Sequence, residues 1–287
     1  MSLTTAQKRE AFRRLHEDGC FVLPNPWDAG SARYLQGLGF KALASTSSGA
    51  AWSMGAPDNG ITLEQAIAHV AALVAATDLP VNADFEHGFA DDSAGVARNV
   101  ARCLATGVAA LSIEDSTGDQ ARPLYELPLA VERIAAARAA IDEAGDGAGH
   151  GAGDALLVGR AECFLTGHPE PLAESIRRLQ AYAAAGADVL YAPGLRTREE
   201  IAAVVAAVAP KPVNVLALPG MRVAELAELG VRRISVGGGL ARAAWGGFLR
   251  AAREIAEAGT FTALGEATPG RDLDAFFTAD LGRRAGT

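Results

Sequence analysis

The stretch Ser93–Asp115, SAGVARNVARCLATGVAALSIED, contains one complete unit of the repeat from which the fold is read. The Ala-rich part, Ser93–Thr106, predicts a helix. Gly107-Val108 ends it, and the apolar run Ala110–Asp115 predicts a strand finishing on two acids. Glycine at such a boundary supplies the left-handed cap that turns the chain back toward a sheet. Outward from this unit, similar apolar runs occur at Phe21–Leu23, Ala42–Ser45, Pro80–Glu86, Leu156–Glu162, Val189–Pro193, Pro212–Ala217 and Arg232–Gly237, which makes eight in all. Helical segments fall between them at Asp28–Leu38, Leu63–Thr77, Leu129–Ala144, Pro171–Ala185, Arg198–Val208, Val223–Leu229 and Leu240–Ala258. Gly39-Phe40, Gly186-Ala187 and Gly230-Val231 repeat the glycine boundary. Eight alternating strand and helix units predict a closed (β/α)8 TIM barrel. The rival, a doubly wound open sheet, would carry a Gly-x-Gly-x-x-Gly turn after an early strand, and none is present.

Residues 1–18 read as an extra helix closing the barrel floor, so residues 1–258 form the barrel domain. Residues 259–287 form a C-terminal helical tail, with one short helix around Asp272–Asp280 that packs on a neighbouring subunit. The tract Gly145–Asp154, nearly all Gly, Ala and Asp, reads as a mobile loop on the N-terminal face. With 49% hydrophobic and 21% charged residues, the 287-residue chain has material for a large core. A net charge of −8 without a basic cluster argues against nucleic acid. The longest apolar stretches are too short for a bilayer and Met1–Glu10 is polar, so neither membrane nor secretion is expected. Cys20, Cys103 and Cys163 lack metal-ligand spacing and cannot all pair, which fits a reduced, cytoplasmic protein.

Barrels of this kind place chemistry at the C-terminal ends of the strands. The third strand ends Asn82-Ala83-Asp84-Phe85-Glu86-His87-Gly88, the fourth Ser112-Ile113-Glu114-Asp115-Ser116, the fifth Gly159-Arg160-Ala161-Glu162. Alternation puts Asp84 and Glu86 on one face, and Arg160 and Glu162 likewise. Asp84, Glu86 and Glu114, with no Lys or Cys among them, suit a hard cation, Mg2+ or Mn2+, that keeps waters and leaves room for substrate oxygens. The bland alternative is a set of capping or ion-paired rim residues. Arg160 is the expected clamp for a substrate carboxylate, being planar and always charged, and its other role is a salt bridge to Glu86 or Glu114. After the second strand, Ser45-Thr46-Ser47-Ser48-Gly49 through Met54-Gly55-Ala56-Pro57-Asp58 offers small residues whose backbone can approach an anion. Trp27 is expected to wall the pocket, while Asp28 caps the next helix. Gly237-Gly238-Gly239 fits either a phosphate-gripping loop or a tight turn. Only three lysines exist, Lys8, Lys41 and Lys211, and the latter two precede strands, so a Schiff-base mechanism lacks its nucleophile.

Together these motifs, from about Phe21 to Phe248, resemble the isocitrate lyase/phosphoenolpyruvate mutase superfamily. The resemblance implies that Ser45, Thr46 and Ser47 hold a small 2-oxo or 2-hydroxy carboxylate, with Asp58 nearby. Asp84-Phe85-Glu86-His87-Gly88 is similar to that family's Asp-x-Asp-x-Gly metal motif, with Glu for the second Asp. Ile113-Glu114-Asp115 matches its Glu-Asp motif, Arg160 its strand-five arginine, and Asn214 another pocket position. It further implies a Mg2+-stabilised enolate, cleavage or formation of a C–C or C–P bond, and a homo-oligomer, most simply a tetramer.

The family's lyases carry Lys-Arg/Lys-Cys-Gly-His on the loop after strand four. Here that loop reads Thr117-Gly118-Asp119-Gln120-Ala121-Arg122-Pro123-Leu124-Tyr125, without Cys or His. The lyase glutamate after strand six is replaced by Tyr191-Ala192-Pro193-Gly194. This departure shifts weight toward oxaloacetate-decarboxylating and phosphonopyruvate-processing relatives. Arg122 is then expected to bind a distal anion, Tyr125 or His87 to relay a proton, and Glu114 and Arg160 to act on the reacting atoms. A catalytically weak 2-oxo acid binding protein is the alternative of another class.

Overall fold

The structure, a computed structural model, describes residues 3–148 and 155–285. Eight parallel strands form the sheet: β1 (Phe21–Leu23), β2 (Leu43–Ala44), β3 (Val81–Asp84), β4 (Ala110–Glu114), β5 (Leu156–Arg160), β6 (Val189–Tyr191), β7 (Val213–Leu216) and β8 (Arg233–Ser235). Their order, β1-β8-β7-β6-β5-β4-β3-β2, runs round a nearly closed circle. The gap between β1 and β2 is spanned by the Ala44 amide donating to Pro24 O at 3.1 Å and by Asn25 Nδ2 donating to Ser45 O at 2.8 Å. The fold is the expected (β/α)8 TIM barrel.

Around it lie α1 (Thr5–Arg14), α2 (Ala29–Gly37), α3 (Ser47–Ser53), α4 (Leu63–Ala76), α5 (Ser93–Leu104), α6 (Leu127–Ala148), α7 (Pro171–Ala184), α8 (Arg198–Val208), α9 (Val223–Glu228), α10 (Gly239–Ala258) and α11 (Gly270–Ala285). Side-chain oxygens of Thr4, Asp28, Thr62, Asp92 and Thr197 accept from the first-turn amides of α1, α2, α4, α5 and α8. Those amides would otherwise lack partners. In the opening unit, Gly107 has φ +89°, and Gly186 before β6 has +102°, where an L side chain is strained.

Most of the core lies between sheet and helices, where Phe85, Val100, Leu111, Ile134, Leu157 and Leu190 are buried. Inside the barrel, Phe12 of α1 packs in one cluster with Leu23, Ala110, Leu156 and Val189, so the extra N-terminal helix stoppers the floor. Arg9 anchors it, donating to Val108 O at 2.9 Å.

Three elements depart from the sequence expectations. The Ser-rich loop after β2 folds into α3, capped by Thr46 Oγ1 accepting from the Gly49 amide at 3.2 Å. Residues 145–148 of the supposed loop extend α6, while the rest of that tract lies outside the described residues. The C-terminal helix is longer than expected and rests on α2 of its own chain, where Arg33 Nε donates to Asp280 Oδ2 at 2.8 Å.

Candidate active site

A cavity of about 340 Å³ opens at the C-terminal ends of the strands, a volume that suits a small acid. Its chemistry centres on Arg160. The β4–β5 register sets Glu114 opposite Arg160, and β3–β4 sets Asp84 opposite Ser112. Arg160 Nη1 lies 3.1 Å from Asp84 Oδ1 and 3.1 Å from Glu114 Oε2, while its Nε pairs with Glu162. The guanidinium also sits 5.3 Å from the centre of the Tyr191 ring. Asp84 is fixed from the other side by Ser47, whose amide and hydroxyl donate to Oδ2 at 2.9 and 2.8 Å. The Asp84 amide donates to Ser45 Oγ at 2.8 Å. The short helix α3 therefore positions the third-strand carboxylate.

One guanidinium among three carboxyl groups leaves an excess of acid in a buried place. Burial pushes the Glu114 carboxyl well above the usual range, opposed by Arg160. Glu162 rises to about 6 for the same reason. Glu86 rises to about 8, from burial and then from the charges of Asp84 and Asp58. The Glu86 side chain is 2% exposed and its Oε1 has no hydrogen-bond partner. β3 ends at Asp84 and Glu86 has φ +46°, so strand alternation does not carry to Glu86.

Asp84, Glu86 and Glu114 do not form a direct three-ligand cage: among the described residues no three Asp, Glu, His or Cys side chains converge as ligands for one ion. The unpartnered Glu86 oxygen and the surplus of carboxylates do fit a hydrated cation, since Mg2+ retains several waters.

Ser45, Thr46, Ser47, Asp58 and Asn214 line the cavity as expected. Trp27 does not. It borders a separate hollow with Trp245 and Phe248, and Trp52 of α3 takes the wall position instead. The loop after β4 is a small hairpin held by the Ser116–Leu124 bridge. Arg122 on it has an 86% exposed side chain, 3.7 Å from Asp119, and does not line the cavity. Tyr125 is buried, with Arg133 4.0 Å over its ring and its hydroxyl donating to Asp91 at 2.6 Å. Burial and Asp91 raise its pKa to about 12. Neither Tyr125 nor His87 faces the cavity, so the relay expected of them is not built. Cys163 is buried elsewhere, with its thiol raised to about 11, and no lysine lines the cavity.

Residues 12–256 match the phosphoenolpyruvate phosphomutase family. The chain belongs to that family. It is thus an enzyme of the isocitrate lyase/PEP mutase superfamily, whose members include lyases and mutases. A Burkholderia cenocepacia J2315 crystal structure, provisionally assigned as a lyase/mutase, is similar at 48% identity and TM-score 0.88, covering 96% of this chain and 97% of that one. Oxaloacetate decarboxylase of Paraburkholderia xenovorans is 30% identical over 208 residues, 70% of this chain and 65% of its own length. A phosphonopyruvate hydrolase crystallised with oxalate and Mg2+ is 25% identical at TM-score 0.81, covering 99% and 98%.

Several cavity residues of this PEP mutase family member were not singled out in the sequence. Asn82 stands two before Asp84 and was accessible to the same alternation argument. Asn25, Trp52, Tyr191, Ser235 and Arg242 also line the wall. Arg233 opens β8 and lies 3% exposed inside the barrel, where a polar side chain in an apolar run was the available signal.

Proposed function

We propose that this protein is a Mg2+-dependent carbon–carbon lyase that forms an enolate from a small 2-oxo acid, with oxaloacetate, decarboxylated to pyruvate, as the substrate that suits the cavity best. The observation that carries the reading is the setting of Arg160 and Asp84: a guanidinium and a Ser47-pinned carboxylate face one small cavity beside the buried, partly unpartnered Glu86. Asp84, Glu86 and Glu114 would hold the ion, through water where they do not reach it. When bound, Mg2+ supplies positive charge at the 2-oxo group, where negative charge develops.

Arg160 stabilises the same developing charge from a fixed, desolvated position. Ser45, Thr46 and Ser47 fix the acid's orientation, and Asp58 and Asn214 complete the wall. In decarboxylation the C3–C4 bond breaks, CO2 leaves, and the electron pair stays on the enolate. A proton then returns to C3. Among the described residues no thiol or imidazole lines the cavity, which favours a departing group that needs no acid. Tyr191, held protonated up to about pH 12 by burial, is a wall group able to relay the proton. Relatives named oxaloacetate decarboxylase support this choice of substrate.

Assembly as a homotetramer forms part of the same reading. It is supported by exposed apolar residues on and after α10, including Phe248, Leu249, Ile255, Phe261 and Leu264.

The test is calorimetric titration of oxalate, which mimics the enolate, into EDTA-treated protein. Binding is expected only once Mg2+ or Mn2+ is restored. Tight binding to the metal-free protein would overturn the site.

A further inference from the structure

Glu86 is the acid of the site whose place the strand does not set. β3 ends at Asp84, and the segment after it turns through three left-handed residues, Glu86 at φ +46°, Gly88 at +77° and Phe89 at +54°. Two of the three are not glycine, and such residues keep this shape only where their surroundings impose it. The Glu86 carboxyl is nonetheless buried, with Oε1 unpartnered, beside the charges of Asp84 and Asp58. Something other than the pleat holds it there.

The hold is on backbone carbonyls. Residues 87–91 follow Glu86 directly, and all five of their carbonyl oxygens accept from side chains of the next two helices. Asn99 of α5 donates from Nδ2 to Gly88 O at 2.9 Å and to Phe89 O at 3.1 Å. Arg133 of α6 donates from Nη1 to Ala90 O and Asp91 O, each at 2.5 Å, and from Nη2 to His87 O. Arg133 is 1% exposed, with its guanidinium 4.0 Å over the Tyr125 ring. That ring is itself fixed: the Tyr125 hydroxyl donates to Asp91 Oδ1 at 2.6 Å, and its carbonyl accepts from Arg178 Nη1 at 2.9 Å. At the start of the segment the Glu114 amide donates to Glu86 O at 3.0 Å, so Glu86 and Glu114 share one backbone frame. Other buried arginines answer carboxylates, Arg33 that of Asp280 and Arg178 that of Asp115. Arg133 directs its terminal donors at the main chain of a single segment instead.

We infer that Arg133 and Asn99 are positioning residues of the reaction: through the carbonyls of residues 87–91 they hold the left-handed turn that presents the Glu86 carboxyl to the metal. The inference rests on the metal-dependent reading above and concerns how the acids are kept in place before the ion arrives. Neither side chain lines the cavity, so neither meets the substrate. Their effect is indirect. A carboxyl already set in position loses less freedom when it takes up an ion, and residues that support ligands tune affinity in this way.

The experiment measures Mn2+ binding to the full-length, EDTA-treated protein by electron paramagnetic resonance, at a temperature where circular dichroism shows every variant folded. Asn99→Leu is close in size, removes the donor and adds no charge. It should weaken Mn2+ binding about tenfold, the lower end of the range for residues that support metal ligands. Arg133→Met should weaken it about tenfold or more, and Arg133→Lys, which can still donate to part of the segment, should recover part of the loss. Removing a positive charge would by itself favour a cation, so a loss in Arg133→Met reports placement and not charge. Asp280→Asn, which acts between α2 and α11, should lower Tm yet leave Mn2+ affinity within about twofold. If Asn99→Leu and Arg133→Met lower Tm but keep Mn2+ affinity within twofold of wild type, the two residues only brace the fold and the inference is overturned. Affinity that falls in step with Tm in every variant, Asp280→Asn included, overturns it too. Wild-type protein that binds no Mn2+ refutes the metal reading itself, and the inference with it.

Discussion

Replacing Glu86 by Gln should stabilise the metal-free protein at high pH. Glu86 is 2% exposed, its Oε1 has no partner, and its pKa is raised from 4.5 to about 8 by burial and by the charges of Asp84 and Asp58. A carboxyl whose folded pKa lies above its unfolded value costs stability as it ionises. The cost begins above pH 4.5, grows through the window to about 8, and is constant beyond it. The separation of the two values corresponds to about 5 kcal/mol, at 1.36 kcal/mol per pH unit. The amide cannot ionise, so the variant escapes the cost. Urea unfolding in EDTA should therefore show wild type and Glu86→Gln nearly equal at pH 4.5, with the variant ahead by about 3–5 kcal/mol at pH 8.5. Added Mg2+ should raise the wild type at pH 8.5 and leave the variant little changed. Parallel pH profiles for the two proteins, with no crossover and no selective response to Mg2+, would refute the reasoning.

Arg122→Ala and Cys163→Ser should each change kcat/KM for oxaloacetate by about twofold or less, because neither side chain lines the cavity and Arg122 is 86% exposed. A tenfold loss in either would place that residue at the reaction. Asp280→Asn should cost about 3 kcal/mol by removing the closer, buried counter-charge of Arg33 and leaving it only the half-exposed Asp78 at 3.7 Å, seen as a lowered Tm; an unchanged Tm contradicts the docking of α11 on α2. Sedimentation should show a tetramer that Phe248→Asp or Phe261→Asp dissociates, and a wild-type monomer at micromolar concentration ends that idea.

The barrel was legible because eight apolar runs and their glycine boundaries are periodic, and periodicity survives without knowledge of contacts. Asp84, Glu114 and Arg160 were legible for a related reason: strand register and alternation place them, and both follow from the backbone. Alternation failed at Glu86, where the left-handed backbone ends the pleat. Tyr125 is turned away from the cavity by its hydroxyl's bond to Asp91, 34 residues earlier, which spacing alone could not reveal. Trp27 and Trp52 illustrate the same limit, since an unexpected helix, α3, carries the second tryptophan to the wall. Arg233 drew no separate reading within the run Arg232–Gly237, whereas β8 begins with it and buries it inside the barrel.

The central claim is metal-supported cleavage of a small 2-oxo acid without a cysteine. It is tested most directly by assaying oxaloacetate, phosphonopyruvate, isocitrate and 2-methylisocitrate side by side with Mg2+, following pyruvate or glyoxylate release. Oxaloacetate should be turned over at least as readily as either tricarboxylate, and EDTA or Asp84→Ala should abolish the activity. Rapid cleavage of isocitrate or 2-methylisocitrate that Cys163→Ser removes, or oxaloacetate turnover indifferent to EDTA, would contradict it.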